Sequence, residues 1–215
     1  MNKMEIDKTN QEKRFKAVVF DFGGVIEIND GEDILSSVAG MLGLSIEQLK
    51  KTYFEHNHLS NVKNMNWVDM LMEVVREFDK TKETEDKVRE AVRDHMAKGT
   101  TNTELLSFLP KLRSRGFKTA IFSNNTSELR DKLAEMGIVE MFDEVVVSAE
   151  IGFQKPHKAA FDVLFEKLGL TPQEVIFIDD SAKSLEKAAE IGYFPIRFES
   201  NEQLKSEFKK LGIFV

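Results

Sequence analysis

The sequence predicts an α/β fold, a doubly wound parallel sheet that carries a small helical cap domain. Three observations predict it. Five short apolar runs, at 17–20, 119–122, 145–147, 175–178 and 194–198, are mostly continuous rather than alternating. Strands covered on both faces of a parallel sheet read this way. Between them the apolar spacing becomes helical, and one connection is far too long for an ordinary crossover.

Taken in order, the run at 17–20 ends on Asp21. Leu105, Phe108, Leu109 and Leu112 predict a helix over about 103–114 that leads into the run at 119–122. Leu129, Leu133 and Met136 predict the next helix, and Phe161, Leu164, Phe165 and Leu168 another. Thr171-Pro172-Gln173-Glu174 has the form of a capped turn before the run at 175–178. Pro195 cannot donate to a ladder, which places the last run at a sheet edge. Strands alternating with single helices imply right-handed crossovers.

The exception lies between Asp21 and Ser123, which are 102 positions apart, whereas a crossover unit takes roughly 30 or somewhat more. The helix at 103–114 already supplies the crossover, so residues 30–98 read as an insertion. Four helical patterns fill it: Ile34/Val38/Met41/Leu42, Ile46/Leu49/Tyr53, Val68/Leu71/Met72/Val75 and Val88/Ala91/Val92/His95. It departs from the carboxyl end of the first strand, where open α/β sheets bind ligands, and is expected to sit over the site as a lid. The core is then 15–29 with 99–215, and the polar stretch 1–14 reads as a solvated arm without the apolar segment of a secretory signal.

Composition narrows the function. No run of 18 apolar residues spans a membrane. Zero cysteines exclude disulfides, thiolate metal sites and cysteine nucleophiles, and a cytoplasmic setting is the simplest. A net charge of −7 without a basic stripe argues against nucleic acid. A small phosphorylated substrate stays compatible, because one local cation can hold a phosphate in an acidic protein.

Four polar features fall at or beyond strand ends: Asp21-Phe22-Gly23-Gly24, Ser123-Asn124, Gln154-Lys155-Pro156 and Asp179-Asp180-Ser181. Singly, each has an ordinary role: Asp21 as a turn former, Asp180 as a helix N-cap, Lys155 as a solvated lysine. Together on one rim they suit phosphoryl transfer, which needs an in-line nucleophile and compensation of phosphoryl charge. Asp21 can be the nucleophile and form an acyl phosphate. Asp180, with Asp179 beside it, would complete a site for a hard cation; clustered carboxylates repel a phosphate otherwise, so the pair implies Mg²⁺. Ser123 and Asn124 can meet the phosphate, Lys155 can neutralise it, and Gly23 and Gly24 allow backbone amides close.

The ordered set DFGGV, SNN, QKP and IDDS resembles the haloacid dehalogenase (HAD) superfamily, in particular phosphatase-like hydrolases with a Rossmann-like core and a helical cap after the first motif. The resemblance implies Asp21 as nucleophile, Ser123 and Lys155 at the phosphate, Asp180 as the metal-binding acid, and the Gly23 carbonyl as a further Mg²⁺ ligand. Two departures stand out. Phosphatases of this family usually carry a second aspartate as general acid where this chain has Gly23, a contribution of about 10²–10⁴-fold. That suggests either a leaving group already fairly acidic, such as an anomeric hydroxyl or an acyl group, or a proton supplied by the cap. Ser184 stands where relatives often have asparagine or aspartate. Tyr53, His56, Asn57 and His58 form a polar–aromatic cluster as possible cap contacts, with a solvated helix end as their ordinary reading. The expected function is a Mg²⁺-dependent phosphomonoesterase for a small phosphorylated metabolite such as a sugar phosphate. The alternatives are a 2-haloacid dehalogenase and a catalytically weak binding or regulatory relative.

Overall fold

The computed structural model describes residues 14–29 and 34–215. The arm expected at 1–14 thus lies outside the described residues apart from Arg14, as do positions 30–33 at the start of the insertion. Among the described residues seven strands follow in chain order: β1 (Ala17–Phe20), β2 (Glu27–Asn29), β3 (Gly99–Thr101), β4 (Lys118–Ser123), β5 (Glu144–Val147), β6 (Val175–Asp179) and β7 (Phe194–Arg197). Five of them form an all-parallel sheet in the order β5-β4-β1-β6-β7. The expected strands match these within a residue at each end. Pro195 sits on β7 at the sheet edge, where a missing donor costs no ladder bond.

Side chains alternate between the two faces of the sheet. Val18, Phe20, Ile121, Val147, Ile176 and Ile178 join one buried cluster. Val19, Ala120, Phe122, Val146 and Phe177 join the other, together with Phe161 and Leu164 of the helix Lys158–Leu168. Both faces being covered explains why the runs read as continuously apolar. The expected helix at 103–114 is two short helices, Thr103–Leu106 and Leu109–Ser114. Pro110 sits in the first turn of the second, where its missing N–H is harmless but an uninterrupted helix through it is not.

The long connection leaves and re-enters through an antiparallel ribbon of β2 and β3. Between them lie Ile34–Met41, Ile46–His56, Trp67–Arg76 and Lys82–Met96, with a short turn of helix at His58–Asn61. Ser45 caps the second of these in a reciprocal box with Gln48, and Thr81 caps the last. Their apolar faces close on a cluster of their own, with Val38, Leu49, Leu71, Val75, Val88 and Val92 buried. No described helix is long and apolar enough to cross a membrane.

Candidate active site

Because the strands are parallel and in register, the residues ending β4, β1 and β6 arrive on one rim. Phe20 of β1 is level with Ile121 and Ile178. Asp21 stays tethered to β6 through its backbone N–H, which donates to the Ile178 carbonyl at 2.8 Å. Ser123 ends β4 and Asp179 ends β6, both buried.

Lys155 is the electrostatic centre, 3% exposed. Its ammonium donates to Asp179 Oδ2 at 2.6 Å and to the Phe122 carbonyl at 2.9 Å, and pairs with Asp21 Oδ1 at 3.0 Å. It also lies 5.0 Å from the Phe177 ring centre and 5.4 Å from that of Phe122. Those rings pack with Phe161, so the same aromatic cluster that fills the core forms a cradle around the cation. Burial alone would lower the Lys155 pKa; Asp21 and Asp179 outweigh it and hold the pKa above the ordinary lysine value.

Asp21 is in the opposite position. Burial pushes its pKa up to about 7, with Asp179 adding to the rise and Lys155 opposing it. Asp180 is also raised, by burial first and then by Asp179. One carboxylate oxygen from each of Asp21, Asp179 and Asp180 lies within 4.8 Å of the others. That is close to the spacing of oxygens around one small ion, about 3–4 Å for bonds of about 2.1 Å. Among the three, Asp179 is already engaged: Oδ2 by Lys155, Oδ1 by the Ser181 N–H at 2.8 Å. Asp21 uses Oδ1 for the Phe22 N–H at 2.7 Å and for Lys155. Asp180 and the second oxygen of Asp21 are therefore the pair best placed to take a cation, with Asp179 holding Lys155 and the following turn. A hard, all-oxygen donor set of this kind fits Mg²⁺.

Two local details keep Asp180 available. The helix N-cap here is Ser181, whose hydroxyl accepts from the Ser184 N–H, so Asp180 is not spent as a cap. And Gly24, at φ +75°, brings its α-carbon against the Asp180 carboxylate: a Cβ there would stand 2.6 Å from Cγ. Gly23 is different, since a Cβ on it meets nothing within 4 Å. The close approach in the Gly-Gly pair is therefore made by the second glycine.

Asn124 has a structural role besides the expected one. Its side-chain amide donates to the Lys155 carbonyl at 3.0 Å and accepts from the Lys155 N–H at 2.8 Å. Oδ1 and one N–H being committed, the side chain positions the lysine and keeps a single N–H for a ligand in the cavity that it lines. The two cap histidines are also placed otherwise than expected. His56 bonds through Nδ1 to the Thr52 carbonyl and lies 3.5 Å from Glu77, while exposed His58 bonds to the Glu55 carbonyl. Neither is among the residues that line the cavity; Tyr53 is.

That cavity, about 800 Å³, lies between the rim and the inserted helices. Phe22, Gly23, Asn124, Lys155 and Ser181 line its rim side, and Tyr53, Phe54, Trp67, His95 and Met96 its helical side. Contacts across it join insert to core. Asn64, itself at φ +60°, donates to Ser127 Oγ at 2.9 Å and accepts from the Ser127 N–H at 2.8 Å. Asn66 reaches Glu128, and the Lys183 ammonium lies 4.0 Å over the Phe54 ring. Near Gly23, Glu27 pairs with Lys132, and both line the cavity. None of these pairs has a local sequence signal, because partners such as 64 and 127 are chosen by the fold.

The sequence profile of haloacid dehalogenase-like hydrolases matches residues 15–192. The chain belongs to the HAD superfamily of hydrolases. Over 121 residues this HAD hydrolase is 30% identical to bifunctional epoxide hydrolase 2 of Mus musculus, covering 54% of the chain; it spans only 22% of that relative's length, and 22% of the Rattus norvegicus counterpart. It is 28% identical over 180 residues to the phosphatase MT3486 of Mycobacterium tuberculosis, covering 80% of this chain and 82% of that one. Among solved structures, a HAD family enzyme from Bacteroides thetaiotaomicron in complex with magnesium and inorganic phosphate superposes with a TM-score of 0.64 at 19% identity, covering 90% and 99%. L-2-haloacid dehalogenase from Xanthobacter autotrophicus gives 0.56 at 22% identity, covering 91% and 83%. At such identities the two structures speak for the HAD fold.

Proposed function

We propose that this HAD hydrolase is a Mg²⁺-dependent phosphomonoesterase acting on a phosphorylated small molecule through an aspartyl-phosphate on Asp21. Asp21, the Gly23 carbonyl and Asp180 would hold the ion. Bound there, Mg²⁺ supplies charge compensation for phosphoryl oxygens and holds the Asp21 carboxylate ionised. An Asp21 oxygen attacks phosphorus while the bond to the leaving oxygen breaks, its electron pair departing with that oxygen. Water then attacks the same phosphorus, the bond to Asp21 breaks, and inorganic phosphate leaves with the carboxylate restored. Lys155 and the Ser123 hydroxyl are assigned to the phosphoryl oxygens. Residues 30–98 act as the cap that shapes the leaving-group side.

The observation that carries this reading is the pairing of Asp180, which is not spent as a helix cap, with Asp21 opposite a buried Lys155. A phosphoryl dianion needs positive charge on both sides, whereas for a 2-haloacid dehalogenase, which works without metal, the adjacent acids Asp179 and Asp180 would disfavour the carboxylate substrate. The phosphatase names and the Mg²⁺–phosphate complex among the similar proteins point the same way. The test is phosphate release beside chloride and fluoride release, each with Mg²⁺ and with EDTA, for wild type and Asp21→Asn. We expect phosphate release only, lost with EDTA and in the variant. Halide release that persists in EDTA overturns the proposal in favour of the dehalogenase, and metal binding without any turnover favours a binding protein.

A further inference from the structure

From the cavity wall we infer the class of leaving group, an inference that rests on the phosphomonoesterase reading: the substrate is an aryl phosphate, a phosphate monoester of a flat phenol-like alcohol. Size comes first. Pockets of about 300–1,000 Å³ accommodate drug-sized ligands, and the cavity here, about 800 Å³, lies in the upper part of that range. Size therefore admits a leaving group of one or two rings, and the wall decides its chemistry.

The chemistry of the wall comes second. Phe54 is 44% and Met96 55% exposed, although both line the cavity beside Tyr53 and Trp67. Apolar surface left in water is a standing source of affinity for a ligand that covers it. The polar atoms of the two largest rings meet each other: Trp67 Nε1 donates to the Tyr53 hydroxyl at 3.1 Å. This bond fixes the indole orientation and commits its only donor, so the tryptophan offers a ligand ring surface and no donor. Tyr53 and Phe54 meet edge to face with centroids 5.6 Å apart, which holds the second ring in place. Lys183 covers one face of Phe54 from the core side, which leaves a ligand the rest of that ring beside Tyr53, Trp67 and Met96. A ring with a π face fits against these side chains, through stacking and sulfur–aromatic contact with Met96. A hydroxyl-rich sugar finds no hydrogen-bond partner on these rings, and its hydroxyls would have to reach Asn57, Asn61 and Asn66 farther along the same side.

The third observation lies at the rim. Gly23 places no proton donor beside the leaving oxygen. A phenolic oxygen, with a pKa of about 10 as in tyrosine, departs without one far more readily than an alkoxide. Aromatic wall and missing acid thus select the same group from opposite ends of the substrate.

The experiment compares 1-naphthyl phosphate, 2-phenylethyl phosphate and glucose 1-phosphate on the full chain with Mg²⁺, and measures binding of 1-naphthylmethylphosphonate against methylphosphonate by calorimetry. The naphthyl ester separates both features from the hexose, and the phenylethyl ester keeps the ring while losing the acidic oxygen. We expect kcat/KM highest for the naphthyl ester, and tighter binding of the naphthyl phosphonate by about tenfold or more. In Phe54→Ala/Met96→Ala the naphthyl-to-hexose ratio of kcat/KM is expected to fall by about tenfold, with the phosphonate preference falling in step. Mg²⁺-dependent turnover of glucose 1-phosphate at or above the naphthyl rate, with equal phosphonate affinities, overturns this inference and leaves the phosphatase reading intact. Absence of turnover on all three esters overturns both.

Discussion

Replacing Asp21 by asparagine is expected to stabilise the metal-free protein. The folded pKa of Asp21 stands at about 7, against an ordinary 3.8. The folded state therefore holds the proton more tightly than the unfolded chain. The resulting penalty is absent below about pH 4, grows between about 4 and 7, and is constant above. At roughly 1.4 kcal/mol per pKa unit, the three-unit rise corresponds to a ceiling of about 4 kcal/mol above neutrality, shrinking to less than about 2 kcal/mol at pH 5. Asparagine removes the buried charge, and Lys155 keeps two partners, Asp179 at 2.6 Å and the Phe122 carbonyl at 2.9 Å. For a chain of this size the gain at pH 8 is about 10 °C in Tm. The assay is thermal unfolding of both proteins in EDTA at pH 8 and pH 5, repeated with excess Mg²⁺. Mg²⁺ should narrow the difference by stabilising the wild type alone, by about 2.7 kcal/mol at a hundredfold excess over Kd. If Asp21→Asn is equally or less stable at pH 8 in EDTA, Lys155 already compensates the Asp21 charge in full and the argument fails.

Three further substitutions test the same geometry. Lys155→Ala leaves Asp21 and Asp179 facing each other without their shared cation, and should cost about 3–5 kcal/mol in urea unfolding at pH 8; a loss below about 1 kcal/mol would show that the carboxylates find other compensation. Gly24→Ala should weaken Mg²⁺ binding by tenfold or more, roughly, because the added methyl occupies the place of the Asp180 carboxylate. Gly23→Asp, with open space at its Cβ, should fold normally and raise turnover of alkyl phosphates by up to about 10²-fold through general acid catalysis. Equal Mg²⁺ affinities for the two glycine variants in calorimetry would remove the distinction drawn between these positions.

The rim of the site was legible because it rests on local signals. A buried parallel strand shows as a continuous apolar run, and the polar residue at its end marks the binding edge, which places Asp21, Ser123 and Asp179 from sequence alone. The insert was legible through its length and helical spacing. The break at Ser107 and Phe108 was missed although Pro110 signals it, because apolar spacing runs through the gap unbroken. The bonds of Asn124 to the Lys155 backbone had no sequence signal, because a strand-end amide looks the same whether or not it also folds back on a neighbouring loop.

The chain alone thus determined the order of strands and helices, the interruption by an inserted bundle, and the residue types brought to one edge. Those follow from periodicity and from the rule that parallel strands share a carboxyl end. Only the folded structure decided which acid is spent and which is available, which glycine makes the close approach, and which side chains wall the cavity. Each of these depends on what lies opposite a residue, as with Asn64 and Ser127 or Trp67 and Tyr53, and hydrophobic spacing specifies a face without naming its partner.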